Sequence, residues 1–181
     1  MSYKKWVLVA VTLFSIGLVS GLVAPFGLYL ADEAVAYMEE LGGILAPFSV
    51  FTAVFIFLKN TSALLLSFGF SPILCLMPVL SLTVNGALVT VVSAAVIQEK
   101  SLGFLLLGIL PHGVLEIPAL IMGQAAALSF GTMVIFALFK KEKRSLVLPN
   151  LKQNLRYFGL ALGLFLPAAI IETYVTPWLL T

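Results

Sequence analysis

The sequence predicts an all-α, polytopic transmembrane helical bundle, and three observations carry that reading. Hydrophobic residues make up 61% of the 181 and charged residues only 10%, with a mean hydropathy of +1.14, which is the composition of a membrane protein rather than a soluble domain. The uncharged runs are long: Thr61 to Ile97 holds 37 residues without one charge. Those runs lack the period-2 alternation of a barrel strand, and a backbone in lipid must satisfy its own hydrogen bonds, which leaves helices. No polar stretch is long enough for a soluble domain, so residues 1–181 read as one integral-membrane domain.

The first span is expected from Trp6 to Leu30, long enough to cross a bilayer that needs roughly 20 apolar residues. It is too long for an ordinary signal-peptide core and lacks a clean small-x-small cleavage site, so it reads as a retained span. Residues 31–41, with Asp32, Glu33, Glu39 and Glu40, read as a solvated interfacial helix. A second span runs from Gly42 or Gly43 to about Leu58 and ends at Lys59-Asn60. Thr61 to Ile97 is too long for one straight crossing and short for two. Ser71-Pro72, Pro78 and Asn85-Gly86 interrupt it as a broken helix, hairpin or half-crossing would. After Gln98-Glu99-Lys100, residues 101–139 pose the same problem, with Pro111, Gly113 and Pro118 as their break. Lys140 to Arg156 reads as an exposed basic loop and Tyr157 to Leu180 as the last span. Trp6, Tyr29, Tyr157 and Trp178 fall at the expected interfaces, where aromatic belts form.

Charge placement sets the topology. Lys4-Lys5 and the 140–156 loop belong on the cytoplasmic side and the acidic 31–41 segment outside. Five crossings result if each broken run crosses once with re-entrant half-helices, and seven if each crosses twice. Five is preferred, because Pro and Gly sit where a re-entrant turn needs them. The expected protein is multi-pass in the plasma membrane, amino terminus cytoplasmic and carboxyl terminus outside. The net charge of +2 and basic stretches without interleaved aromatics give no nucleic-acid surface. Cys75 is the single cysteine, so it forms no intrachain disulfide and reads as a small packing residue. Gly123–Ala127 and Gly159–Gly163 read as small-residue signals for close helix contact.

Pro111-His112-Gly113-Val114-Leu115-Glu116-Ile117-Pro118 is the richest segment. It holds the only histidine and one of eight acidic residues. An ionisable group at the bilayer centre costs about 2.5–3.5 kcal/mol on insertion scales, so such groups face a bundle interior and find partners. His112 and Glu116, four apart, share one helical face. A helix beginning near Gly113 would put His112 at its start. Asn60, Asn85 and Glu172 are the other polar groups in apolar sequence. Asn60 reads as a cluster member or a helix-end cap, Asn85-Gly86 as a turn or a packing notch, and Glu172 as a cluster member or an outer-interface residue.

The octapeptide resembles the Pro-His-Gly-x-x-Glu-x-Pro signature of the stage II sporulation protein M family of integral membrane proteins. Other marks stand in order: Phe57-Leu58-Lys59-Asn60, then Val84-Asn85-Gly86, then a glutamate in Ala169-Ile170-Ile171-Glu172-Thr173-Tyr174-Val175-Thr176-Pro177. The resemblance runs from about Ile44 to Pro177. It implies a component of a membrane complex that, in endospore formers, works with peptidoglycan-degrading partners.

Three functions follow. The first is a structural or assembly component, embedded in the lipid bilayer, contacting membrane or envelope proteins and a second copy of itself, with the His/Glu/Asn cluster as interhelical glue. The second is a small ion- or proton-coupled transporter using His112, Glu116 and Glu172. The third is a metal-dependent membrane enzyme. No cofactor is fixed by the sequence, and a divalent metal on His112, Glu116 and Glu172 is the candidate. Strong zinc motifs carry two or more His or Cys. No His-Glu-x-x-His, Gly-x-Ser-x-Gly or phosphate-binding loop is present, so catalysis ranks last.

Overall fold

The computed structural model describes residues 2–23 and 45–181. The acidic 31–41 segment, the end of the expected first span and Gly42-Gly43 lie outside them. Among the described residues are α1 (Tyr3–Val23), α2 (Val50–Phe70), α3 (Leu76–Glu99) and α4 (Leu102–Phe139). A 3-10 turn (Lys141–Leu146), α5 (Val147–Ile170), a π-turn (Ile171–Val175) and α6 (Thr176–Leu180) complete the chain. Among the described residues five helical segments are long and apolar enough to cross a membrane, the last running continuously over Lys141–Leu180. The protein is a multi-pass helical membrane protein and sits in a lipid bilayer.

The count of five agrees with expectation, but the segments that make it up differ. Lys59-Asn60 does not end the second span, because α2 continues through both to Phe70. The break in the 61–97 run falls at Ser71–Cys75, where Leu74 and Cys75 take left-handed backbone angles. Pro78 sits in the first turn of α3, where a missing N–H goes unmissed. Asn85-Gly86 is interior to α3 rather than a turn.

The expected break at the Pro-His-Gly element is absent. α4 runs unbroken for 38 residues with Pro111 and Pro118 inside it, and Gly113 is likewise interior. His112 therefore sits mid-helix and not at a helix start. Each proline removes one backbone bond, to the carbonyls of Leu107 and Val114, and packed neighbours in a membrane bundle tolerate such losses. The helix starts instead at Ser101, whose hydroxyl caps the Phe104 amide at 3.1 Å. The basic loop is shorter than expected too. α5 begins at Val147, so Lys152 and Arg156 ride on helix.

Cross-helix contacts give the directions. Asn60 meets Glu116 and Ser67 meets Gln124, so α2 and α4 run parallel. Asn154 meets Ser129 and Thr176 meets His112, so α5 runs against α4. Gly17 lies on Thr83 and Gly21 on Ala87, so α1 parallels α3. Lys4, Lys5 and the 140–146 turn thus share one end of the bundle.

Gly86 is the packing notch. A Cβ there would run into the Phe14 carbonyl, with the Leu18 amide at 2.9 Å and the Gly17 Cα at 3.1 Å. This close backbone approach is the usual way membrane helices associate. The second core joins α2, α4 and α5 through Leu64, Phe68, Ala126, Ala127, Phe158 and Phe165. Gly123 admits Leu64 to it. The expected Gly159–Gly163 contact is limited to buried Ala161. Both glycines face open space, with nothing within 4 Å of a built Cβ.

Candidate functional site

Four elements deliver polar side chains to the middle of the bundle. Asn60 lies ten residues from each end of α2. His112 and Glu116 lie one turn apart on α4, and Glu116, 14 residues in, is roughly 21 Å along the helix axis. Glu172 comes from the π-turn, and Thr176 from the start of α6. The extra residue of a π-turn rotates the succeeding helix about its axis, and such turns concentrate at functional sites.

His112, Glu116 and Glu172 converge, each offering a ligand atom within 4.8 Å of the other two. Asn60 Nδ2 donates to Glu116 Oε1 at 2.9 Å. The Thr176 hydroxyl lies 3.5 Å from His112 Nδ1. Sequence reasoning missed Thr176, whose only signal was its place four residues after Glu172. Asn85 lines the same cavity but bonds its own helix, donating to the Ser81 carbonyl at 2.7 Å.

The cluster is rich in acceptors and poor in donors. Glu116 takes one hydrogen bond and His112 one long one. Among the described residues Glu172 has no hydrogen-bond partner. Two carboxylates and an imidazole are hard-to-borderline donors that suit a divalent cation. A single ion bonded to three groups at about 2.1 Å keeps its donors within roughly 4.2 Å of one another, a separation inside the 4.8 Å bound on these atoms. The cluster faces a cavity of about 670 Å³ between α1, α3, α4 and α6.

Two other polar groupings differ in kind. The Ser67 hydroxyl donates to Gln124 Oε1 at 2.6 Å, and Gln124 Nε2 donates to Ser81 Oγ at 2.7 Å. Gln124 is fully buried. Asn154, also buried, donates to Ser129 at 3.1 Å and to Asn150 Oδ1 at 2.9 Å. Both groupings are closed and tie helices together. Neither was read as a site in the sequence, where Gln124 lies within a small-residue run.

Over residues 8–177 the chain matches the family described as stage II sporulation protein M. It is also 25% identical over 176 residues to an uncharacterised protein of Methanocaldococcus jannaschii, a match covering 97% of this chain and 96% of the relative. No solved structure matches the chain.

Proposed function

The chain belongs to the stage II sporulation protein M family, and from that premise we propose that it is a component of a membrane complex whose bundle holds a cation at His112, Glu116 and Glu172. One observation carries the reading: these acceptors converge on a cavity with most of their hydrogen-bonding capacity unspent among the described residues. Interhelical glue has a different signature here, the closed Ser67–Gln124–Ser81 chain. Uncompensated carboxylates in a membrane interior require a counter-charge, and a bound cation supplies it. The expected placement is the plasma membrane, with the end carrying Lys4, Lys5 and the 140–146 turn on the cytoplasmic side.

A transport role has one observation in its favour. The cavity extends from the cluster to Val96, Phe104 and Leu180 at one end of the bundle, while Gln124 and Ala125–Ala127 are fully buried toward the other. A path to the cluster from that end alone would be the form alternating access takes in a single state.

The test is thermal unfolding of the detergent-purified protein against a panel of Zn²⁺, Mn²⁺, Na⁺ and ammonium salts, with elemental mass spectrometry of the same samples. At least one cation is expected to raise the midpoint of the wild type and not that of Glu116→Gln or Glu172→Gln. A midpoint indifferent to every cation, with Glu116→Gln merely less stable, would return the cluster to the role of glue.

A further inference from the structure

The cavity is much larger than a bare ion. Its volume of about 670 Å³ falls among sites that take small organic ligands. From Glu116 it follows α4 outward past Ile109 to Phe104, roughly 18 Å of helix rise. Away from the cluster its walls are apolar: Leu88, Val92 and Val96 on α3, Leu105 on α4 and Leu180 on α6. Gly108 keeps this limb open, since a Cβ there would find only Leu180 Cδ1, at 4.0 Å. A metal ion would satisfy the polar end and leave the apolar limb, as the described residues bound it, unfilled.

The spacing of the acceptors admits an ammonium as well as a metal ion. Their atoms lie up to 4.8 Å apart. A tetrahedral ammonium with hydrogen bonds of about 2.8 Å separates its acceptors by roughly 4.6 Å, whereas a tetrahedral metal at about 2.1 Å separates its donors by roughly 3.4 Å. Both separations lie inside the 4.8 Å bound, so it is the apolar limb that favours an organic ammonium over a bare ion.

We propose that the cavity binds a primary aliphatic amine, its ammonium held by Glu116, Glu172 and a ring nitrogen of His112, its apolar body in the limb beside Gly108. The inference rests on the proposed cation site and names the cation. Each N–H of the ammonium has one acceptor, so the site selects for donors as well as for charge. Asn60 occupies Oε1 of Glu116 and leaves the other oxygen for the ligand.

Isothermal titration of the full chain in detergent tests this with n-octylamine, n-octyltrimethylammonium, 1-octanol and Zn²⁺. A Glu116→Gln/Glu172→Gln double variant serves as the blank for partitioning into micelles. The expected result is one octylammonium per chain, bound at least about tenfold tighter than the trimethyl analogue, which has no N–H, and than the neutral alcohol. Gly108→Phe, which fills the apolar limb, is expected to weaken octylamine at least about tenfold while leaving the unfolding midpoint near wild type. Equal binding of the trimethyl analogue overturns the ammonium tripod, and an unchanged affinity in a folded Gly108→Phe overturns the apolar limb. Zn²⁺ binding without amine binding removes the amine and leaves the cation reading standing. Binding of neither, together with a cation-indifferent midpoint, removes both.

Discussion

Replacing Asn60 with leucine isolates the bond that orients the site. Asn60 Nδ2 donates to Glu116 Oε1 at 2.9 Å, and leucine keeps the bulk while deleting the donor. A hydrogen bond to a charged group contributes about 1.5–3 kcal/mol. If that energy holds Glu116 in its binding orientation, its loss weakens the cation by about 10- to 100-fold, which is also the usual range for partners that orient ligating side chains. The assay is thermal unfolding with and without the bound cation at about 100 times the wild-type Kd, where binding adds about 2.7 kcal/mol. A tenfold weaker site lowers that increment to about 1.4 kcal/mol and a hundredfold weaker one to about 0.4 kcal/mol. The baseline midpoint reports packing and the increment reports the site, so the two roles of Asn60 separate. A variant with a lowered baseline and a wild-type increment would refute the positioning argument and make the bond simple glue.

Two further outcomes are expected. Gly86→Ala should lower the unfolding midpoint, because its Cβ meets only backbone atoms of α1, which cannot move aside, and overpacking of this kind costs about 1–3 kcal/mol. Gly159→Ala and Gly163→Ala, with open space around them, should leave the midpoint where it is; equal losses at all three positions would show that the α1–α3 contact is not the cause. Sidedness is read by cysteine labelling of whole cells in a Cys75→Ala background. Thr181→Cys is expected to react with a membrane-impermeant maleimide and Ser145→Cys not to react, and the reverse pattern would invert the topology.

The fold class was legible in composition, because lipid as a solvent leaves a helix as the cheapest way to pair every backbone group. Segment boundaries were not, for reasons visible at particular residues. Lys59 and Asn60 look like a helix end, yet a lysine can extend along apolar surface and Asn60 has its partner 56 residues away on α4. No local pattern announces such a partner. Pro111 and Pro118 look like breaks because each removes a backbone bond, but the cost is set by the packing around α4 rather than by the residue alone. Within the site, the His112–Glu116 pair follows from four-residue spacing. The convergence of Glu172 depends on a π-turn that period counting does not reveal, and Asn85, an equal candidate by sequence, spends its amide on its own helix.

Polarity inside a membrane bundle therefore has two outcomes that composition does not distinguish. Gln124 and Glu116 are both polar residues of α4, two turns apart, in the same apolar run. Gln124 carries donors and an acceptor, so two serines suffice to close its network, and a closed network can be buried without charge. Glu116 and Glu172 offer acceptors alone when ionised, while a neutral His112 adds one N–H donor and one acceptor. Asn60 supplies one donor to this group, and the Thr176 hydroxyl and His112 Nδ1 share a contact at the limit of reach, which among the described residues leaves more acceptors than donors. The described side chains do not close a network of their own, and the cavity beside them gives a ligand room to complete it. The donor–acceptor imbalance, more than the presence of charge, is what separates a site from glue in this bundle.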